Sequence, residues 1–230
     1  MISILNNIKP HTIFSAKEIY LNHFQKDNYA AFCKKLSRLE KSGEITRLTK
    51  GLYYKSKISS FGLGTIPISD KDIINYFIGK NHEFGIVGGY LLYKKYDLTN
   101  QIPKKYVIYT TNTDTTVKNI NNIIIKKLPI NLSIEEKYAF EFLLIVDQFQ
   151  QIECLDYSSL LKYFEFILKH IIDENIVRVI SSISFKKKTI AQAKAILDYF
   201  TQKNSLKNYL SPVSSYNIIK MEELYELAQE

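Results

Sequence analysis

The chain has 230 residues, of which 46% are hydrophobic and 23% charged, enough to bury a core without disulfides or metals. Cys33 and Cys154 have no CxxC partners and the four histidines are isolated, a pattern that speaks against a disulfide framework, a zinc site and a Cys-His nucleophile. The net charge is +8, and residues 1–60 carry eleven Lys/Arg against four acids, so nearly all the excess lies in the front quarter. Such asymmetry points to a polyanionic partner for that segment; the competing explanation is a solvated basic face.

In chain order, Ile2, Ile4, Leu5 and Ile8 predict a short amphipathic helix ended by Lys9-Pro10. The opening "MISILNNIKPHTIF" has no long apolar run and no small-residue cleavage site, so it does not read as a signal peptide. Ser15 and Glu18 form a capping-box pattern for the next helix, "SAKEIYLNHFQ", with Ile19 and Phe24 facing the core and Leu21 a third candidate. Asp27 or Asn28 caps a third helix, Tyr29 to Ser42, with the apolar stripe Tyr29, Phe32, Cys33, Leu36 and Leu39. Its other side carries Ala31, Lys34, Lys35, Arg38 and Ser42, and Gly43 is placed to end it. "EITRLTKGLYYK" then predicts a hairpin turning at Lys50-Gly51, with a bulge or a short ladder because its alternation is imperfect.

Short helices followed by a two-stranded basic hairpin, all within 1–58, are the element order of a winged helix-turn-helix. In that motif a recognition helix enters the major groove and the hairpin adds backbone or minor-groove contacts. The candidate DNA-binding residues are therefore Lys34, Lys35 and Arg38 on the helix, and Arg47, Lys50 and Tyr53 on the wing. One of Tyr53 and Tyr54 is expected to pack under the helix, leaving the other for DNA. Arginine occurs at only three positions, Arg38, Arg47 and Arg178, so two of the three fall where bidentate contacts matter most.

Residues 56–66 read as a connector, and 67–230 as a second, α+β domain. Ser69 and Asp72 open a helix. "FGIVGGYLLYKKYDL" reads as a helix entered through Gly85-Ile86-Val87; its glycines lack the Lys-Ser/Thr of a phosphate loop, and close backbone packing accounts for them. "KKYVIYTTN" and "NNIIIKKL" predict strands of a small sheet at about 105–128. After 133 the pattern is helical. Ser133 and Glu136 repeat the capping-box pattern before "KYAFEFLLIVDQFQ", and "SSLLKYFEFILKHII", "TIAQAKAILDYFTQ" and "SSYNIIKMEELYELAQ" follow. The run "FEFLLIVDQF" is too short and too charged to span a bilayer, which fits a cytoplasmic protein. The expected fold class is α+β: an N-terminal winged helix-turn-helix, a mixed α/β segment and a helical C-terminal region.

"FSAKEIY" followed by "LSRLEKSGEITRLTKGLYY" resembles the N-terminal winged helix of AbiEi-type antitoxins of bacterial type IV toxin–antitoxin systems. "FGIVGGYLLYKKYDLTNQIPKKYVIYTTN" is similar to the family's next segment, a glycine-aromatic helix, a turn (Asp97 to Pro103) and a strand. The resemblance covers residues 14–112. It implies a transcriptional autorepressor that binds operator repeats in double-stranded DNA as a homodimer, with a functional rather than necessarily physical link to a nucleotidyltransferase-like toxin. No cofactor, metal or catalytic role is expected. The alternative from the residues alone is a non-catalytic protein-interaction module that uses the winged helix as a scaffold.

Overall fold

The computed structural model describes residues 7–25, 28–59 and 64–229. The chain divides into two compact units, Met1–Lys80 and Asn81–Glu230. The helix at 70–78, grouped with the second region from sequence, falls in the first. The expected opening helix lies outside the described residues except at its end, where Asn7 and Ile8 form a turn and bend.

In the first unit, β1 (Ile13–Ser15) leads into α1 (Ala16–His23), α2 (Tyr29–Lys41) and the hairpin β2 (Ile45–Thr49) and β3 (Leu52–Lys55). The sheet order is β1-β3-β2, all antiparallel. β1 was not expected; a three-residue strand shows no periodicity, and it is defined by its partner. The caps are local chemistry. Ser15 Oγ accepts the Glu18 N–H at 3.3 Å, and Asn28 Oδ1 accepts the Ala30 N–H at 2.8 Å. α2 ends in a Schellman pair: the Gly43 N–H donates to the Glu40 carbonyl and the Glu44 N–H to the Leu39 carbonyl, both at 3.0 Å, with Gly43 at φ +78°. The hairpin carries the expected bulge, between Arg47 and Thr49, and turns through Gly51 at φ +81°.

The core of this unit is built on Phe32, 1% exposed, with Tyr20, Phe24 and Tyr29 ringed about it at centroid distances of 5.4–6.1 Å. Phe14, Ala16, Ile19, Leu36, Leu39 and Ile45 complete it. Leu21 faces solvent, and so does Tyr29 in part, at 46% exposure. The stretch expected as a plain connector holds a two-strand ladder, β4 (Lys57–Ile58) with β5 (Thr65–Ile66). α3 (Asp70–Ile78) follows, capped by Ser69, whose Oγ accepts the Asp72 N–H at 3.1 Å.

The second unit combines a four-stranded sheet with a helical layer. β6 (Gly85–Gly88), α4 (Tyr90–Lys95), β7 (Tyr106–Thr110), β8 (Val117–Ile120) and β9 (Ile123–Lys127) give the order β6-β7-β9-β8, in which β7 and β9 run parallel. The expected helix entry at Gly85-Ile86-Val87 is instead the edge strand β6, paired antiparallel to β7. Its glycines belong to that pairing. A Cβ on Gly85 would stand 2.0 Å from the Tyr109 carbonyl oxygen, and one on Gly88 would stand 2.6 Å from the Tyr109 ring. β8 was also unforeseen; it turns into β9 through Asn121 at φ +49°.

The helices α5 (Ile134–Gln148), α6 (Tyr157–Ile167), α7 (Asp173–Ser182), α8 (Lys187–Tyr199) and α9 (Met221–Leu227) complete the unit. α5 begins with the full capping box of Ser133 and Glu136 and is buried along most of its length. Phe140, Phe142, Phe149, Phe164 and Ile196 form one continuous core with Ile86 and Leu92. α7 has the apolar spacing Ile176, Val179 and Ile180 but was not singled out, and α9 starts at Met221 rather than near Ser214. Among the described residues, no helix is long and apolar enough to cross a membrane, and no group of three or more His, Cys, Asp and Glu is placed to hold a metal ion.

Candidate nucleic-acid interface

Helix α2 sorts its residues by the 3.6-residue period. Phe32, Leu36 and Leu39 point into the core. Lys34, Arg38 and Lys41, at spacings of four and three, share the opposite exposed stripe, with Lys35 also exposed at its flank. Lys41 was missed as a candidate, although its spacing from Lys34 and Arg38 carried the signal. Ala30 and Ala31 at the N-terminal end are exposed and small, so the helix is slim there.

The hairpin adds its charges through strand alternation. Arg47 pairs with Tyr53 across β2 and β3, and Tyr53 pairs with Phe14 across β3 and β1, so these three share one side of the sheet. Tyr53 stacks on Phe14 at 6.0 Å with the rings 19° from parallel, and it packs at the edge of the α1–α2 core. Tyr54 faces the other side and is 6% exposed, in edge contact with His11 at 6.3 Å. Tyr53 is thus the tyrosine beneath the helix, yet it keeps part of its surface in solvent, while Tyr54 is wholly enclosed. Burial pushes the Tyr53 hydroxyl upward in pKa; the Arg47 guanidinium acts in the opposite sense, and Glu40 and Cys33 of α2 reinforce the rise. The Tyr53 hydroxyl therefore lies within electrostatic reach of both the helix and the hairpin.

Lys50 is exposed at the turn. The turn is held: the Gly51 carbonyl accepts the Ala16 N–H at 2.9 Å, fixing the tip to the first residue of α1. Among the described residues, Lys34, Arg38, Arg47 and Lys50 form no ion pair. Glu40 and Glu44 are the acids nearest in sequence, and Glu44 is drawn aside by a 3.0 Å hydrogen bond from the Ser42 hydroxyl. The first unit thus exposes Lys34, Arg38 and Lys41 on one helix and Arg47 and Lys50 on the adjoining hairpin.

The chain belongs to a family of unknown function, DUF6088, whose model matches residues 4–156, most of the first unit and the second as far as the residue before α6. No curated protein matches the chain.

Proposed function

We propose that the protein is a sequence-specific double-stranded DNA-binding repressor whose reading head is the first unit. The observation that carries this is the placement of Arg38 and Arg47. Both are exposed and, among the described residues, form no ion pair; they lie on adjoining elements of one unit, in a chain with a single further arginine. The succession β1-α1-α2-β2-β3, with the sheet order β1-β3-β2, supports a winged helix with α2 as the recognition helix and β2–β3 as the wing. Lys34, Arg38 and Lys41 supply phosphate and guanine contacts, and Arg47 and Lys50 anchor the flanking backbone. Tyr53 holds the wing to the helix through its ring and offers its hydroxyl at the seam. The resemblance of residues 14–112 to AbiEi-type antitoxins supports a place in the cytoplasm as autoregulator of a type IV toxin–antitoxin operon, bound as a homodimer to repeats upstream of its own gene.

The test is a titration of the full chain against DNA from upstream of its gene and against a scrambled duplex, at several salt concentrations. Tight binding to the upstream DNA alone, weakened by salt and lost in Arg38→Ala/Arg47→Ala, is the expected result. Equal weak binding to both duplexes, unchanged in the variant, refutes the proposal.

A further inference from the structure

The second unit holds a cleft of about 480 Å³ between the end of α4 and the side of α6, lined by Lys95, Tyr96, Asp97, Lys162, Tyr163 and Phe166. Two of the lining residues, Lys95 and Tyr96, are held from behind by a buried carboxylate. Glu141 of α5, 3% exposed, accepts both contacts of the Lys95 ammonium at 2.7 and 2.8 Å and the Tyr96 hydroxyl at 2.5 Å. Its charge is therefore balanced from within the unit. Beside it the Tyr163 hydroxyl is fully enclosed and has no hydrogen-bond partner. A buried hydroxyl without a partner is costly, and native structures keep few of them.

The walls are aromatic. Tyr96 lies 4.5 Å from Tyr163 and 6.2 Å from Phe166, centroid to centroid, and Phe166 is 41% exposed. At the mouth, Lys162 is exposed and forms no ion pair among the described residues, and Lys95 keeps 42% of its side chain in solvent although it is bound to Glu141. Asp97, also exposed, is the one carboxylate of the lining.

We infer that this cleft binds a small planar anion, an aromatic or heteroaromatic ring carrying a carboxylate or phosphate. The ring lies against Phe166 and Tyr96, and the acid group meets Lys162 and the free N–H of Lys95. Lys162, Tyr163 and Phe166 lie beyond the residues matched by the family model, so membership of the family does not assign this cleft. The inference is independent of the DNA-binding proposal.

The experiment measures calorimetric binding and thermal shift of the full chain without DNA, using salicylate, 4-hydroxybenzoate and AMP as probes. Phenol and adenosine serve as rings without an acid, and acetate and inorganic phosphate as acids without a ring. Binding by at least one ring acid, at least tenfold tighter than its two halves, is expected. Lys162→Ala and Phe166→Ala should each weaken it tenfold or more. Tyr163→Phe serves as the control, because removing an enclosed, unpartnered hydroxyl should leave binding unchanged and the ligand-free melting temperature unchanged or raised. The carboxylate and phosphate probes separate the two sources of the acid group. No binding by any of the three ring acids, binding unmoved by both Lys162→Ala and Phe166→Ala, or equal binding of the ring-free anions overturns the inference.

Discussion

Arg47 and Tyr53 stand opposite one another on neighbouring strands and on the same side of the sheet, the tyrosine ring stacked on Phe14 and the guanidinium in solvent. One residue anchors and the other reaches, so substitutions at the two should separate. Arg47→Ala should leave stability within about 0.5 kcal/mol and lower the salt dependence of the proposed DNA binding by about one unit of log–log slope. Tyr53→Ala, which removes half-buried ring area, should cost about 2 kcal/mol, and Tyr53→Phe should cost little. Urea unfolding alongside the DNA titration distinguishes them; an Arg47→Ala protein as unstable as Tyr53→Ala would contradict this division.

Gly85 is required by what faces it. The missing Cβ would meet a backbone carbonyl, which cannot step aside, whereas at Gly88 it would meet the edge of a ring, which can. Gly85→Ala is expected to destabilise the protein by at least about 3 kcal/mol and Gly88→Ala by about 1 kcal/mol. Thermal unfolding of the two variants checks the order, and the reverse order would be incompatible with the β6–β7 pairing.

Lys95 compensates a carboxylate that is almost wholly enclosed. Lys95→Met leaves Glu141 with the Tyr96 hydroxyl alone and should cost about 2 kcal/mol, discounted from a fully buried pair because the lysine is partly in solvent. Adding Glu141→Leu removes the stranded charge and should recover part of the loss. A double-mutant cycle in denaturant gives the coupling, and purely additive losses would show that the pair is not coupled.

Tyr76, Tyr93, Tyr96 and Tyr163 all have their hydroxyls pushed upward, in each case first by burial, Tyr76 to about 12 with Glu18 adding to the effect. In the unfolded chain tyrosine ionises near pH 10. Above that pH the unfolded state loses protons that the folded state keeps, so stability is intact below pH 10 and falls as pH rises. For Tyr76 the decline runs from about 10 to about 12. Phenolate absorbance followed with circular dichroism should show one tyrosine fraction ionising freely and another only as the fold is lost. Free titration of every tyrosine in the folded chain would contradict this burial.

Much of this architecture was legible where the governing chemistry is local. Ser15, Asn28, Ser69 and Ser133 sit just before apolar periodic runs, and each accepts a backbone N–H within its own first turn. Gly43 and Gly51 likewise announce turns that need positive φ. What was not legible depends on partners distant in sequence. β1 is a strand because Tyr53 and Tyr54 lie beside it, and Gly85 is glycine because of the Tyr109 carbonyl, neither of which a window of neighbouring residues contains. Of the candidate site, the outward stripe of Lys34 and Arg38 was readable from the helical period, whereas the division between Tyr53 and Tyr54 required knowing which side of the sheet the helices cover.

The Schellman ending of α2 leaves only Ser42, Gly43 and Glu44 before the hairpin, and all three donate their N–H back into the last turns of the helix, to the carbonyls of Arg38, Glu40 and Leu39. That junction has no slack. A residue inserted there would reverse the alternation of β2, turning Ile45 out of the core and Arg47 from one side of the sheet to the other. A change in the number of residues joining helix and hairpin would therefore turn their cationic side chains away from one another while leaving every lysine and arginine in place.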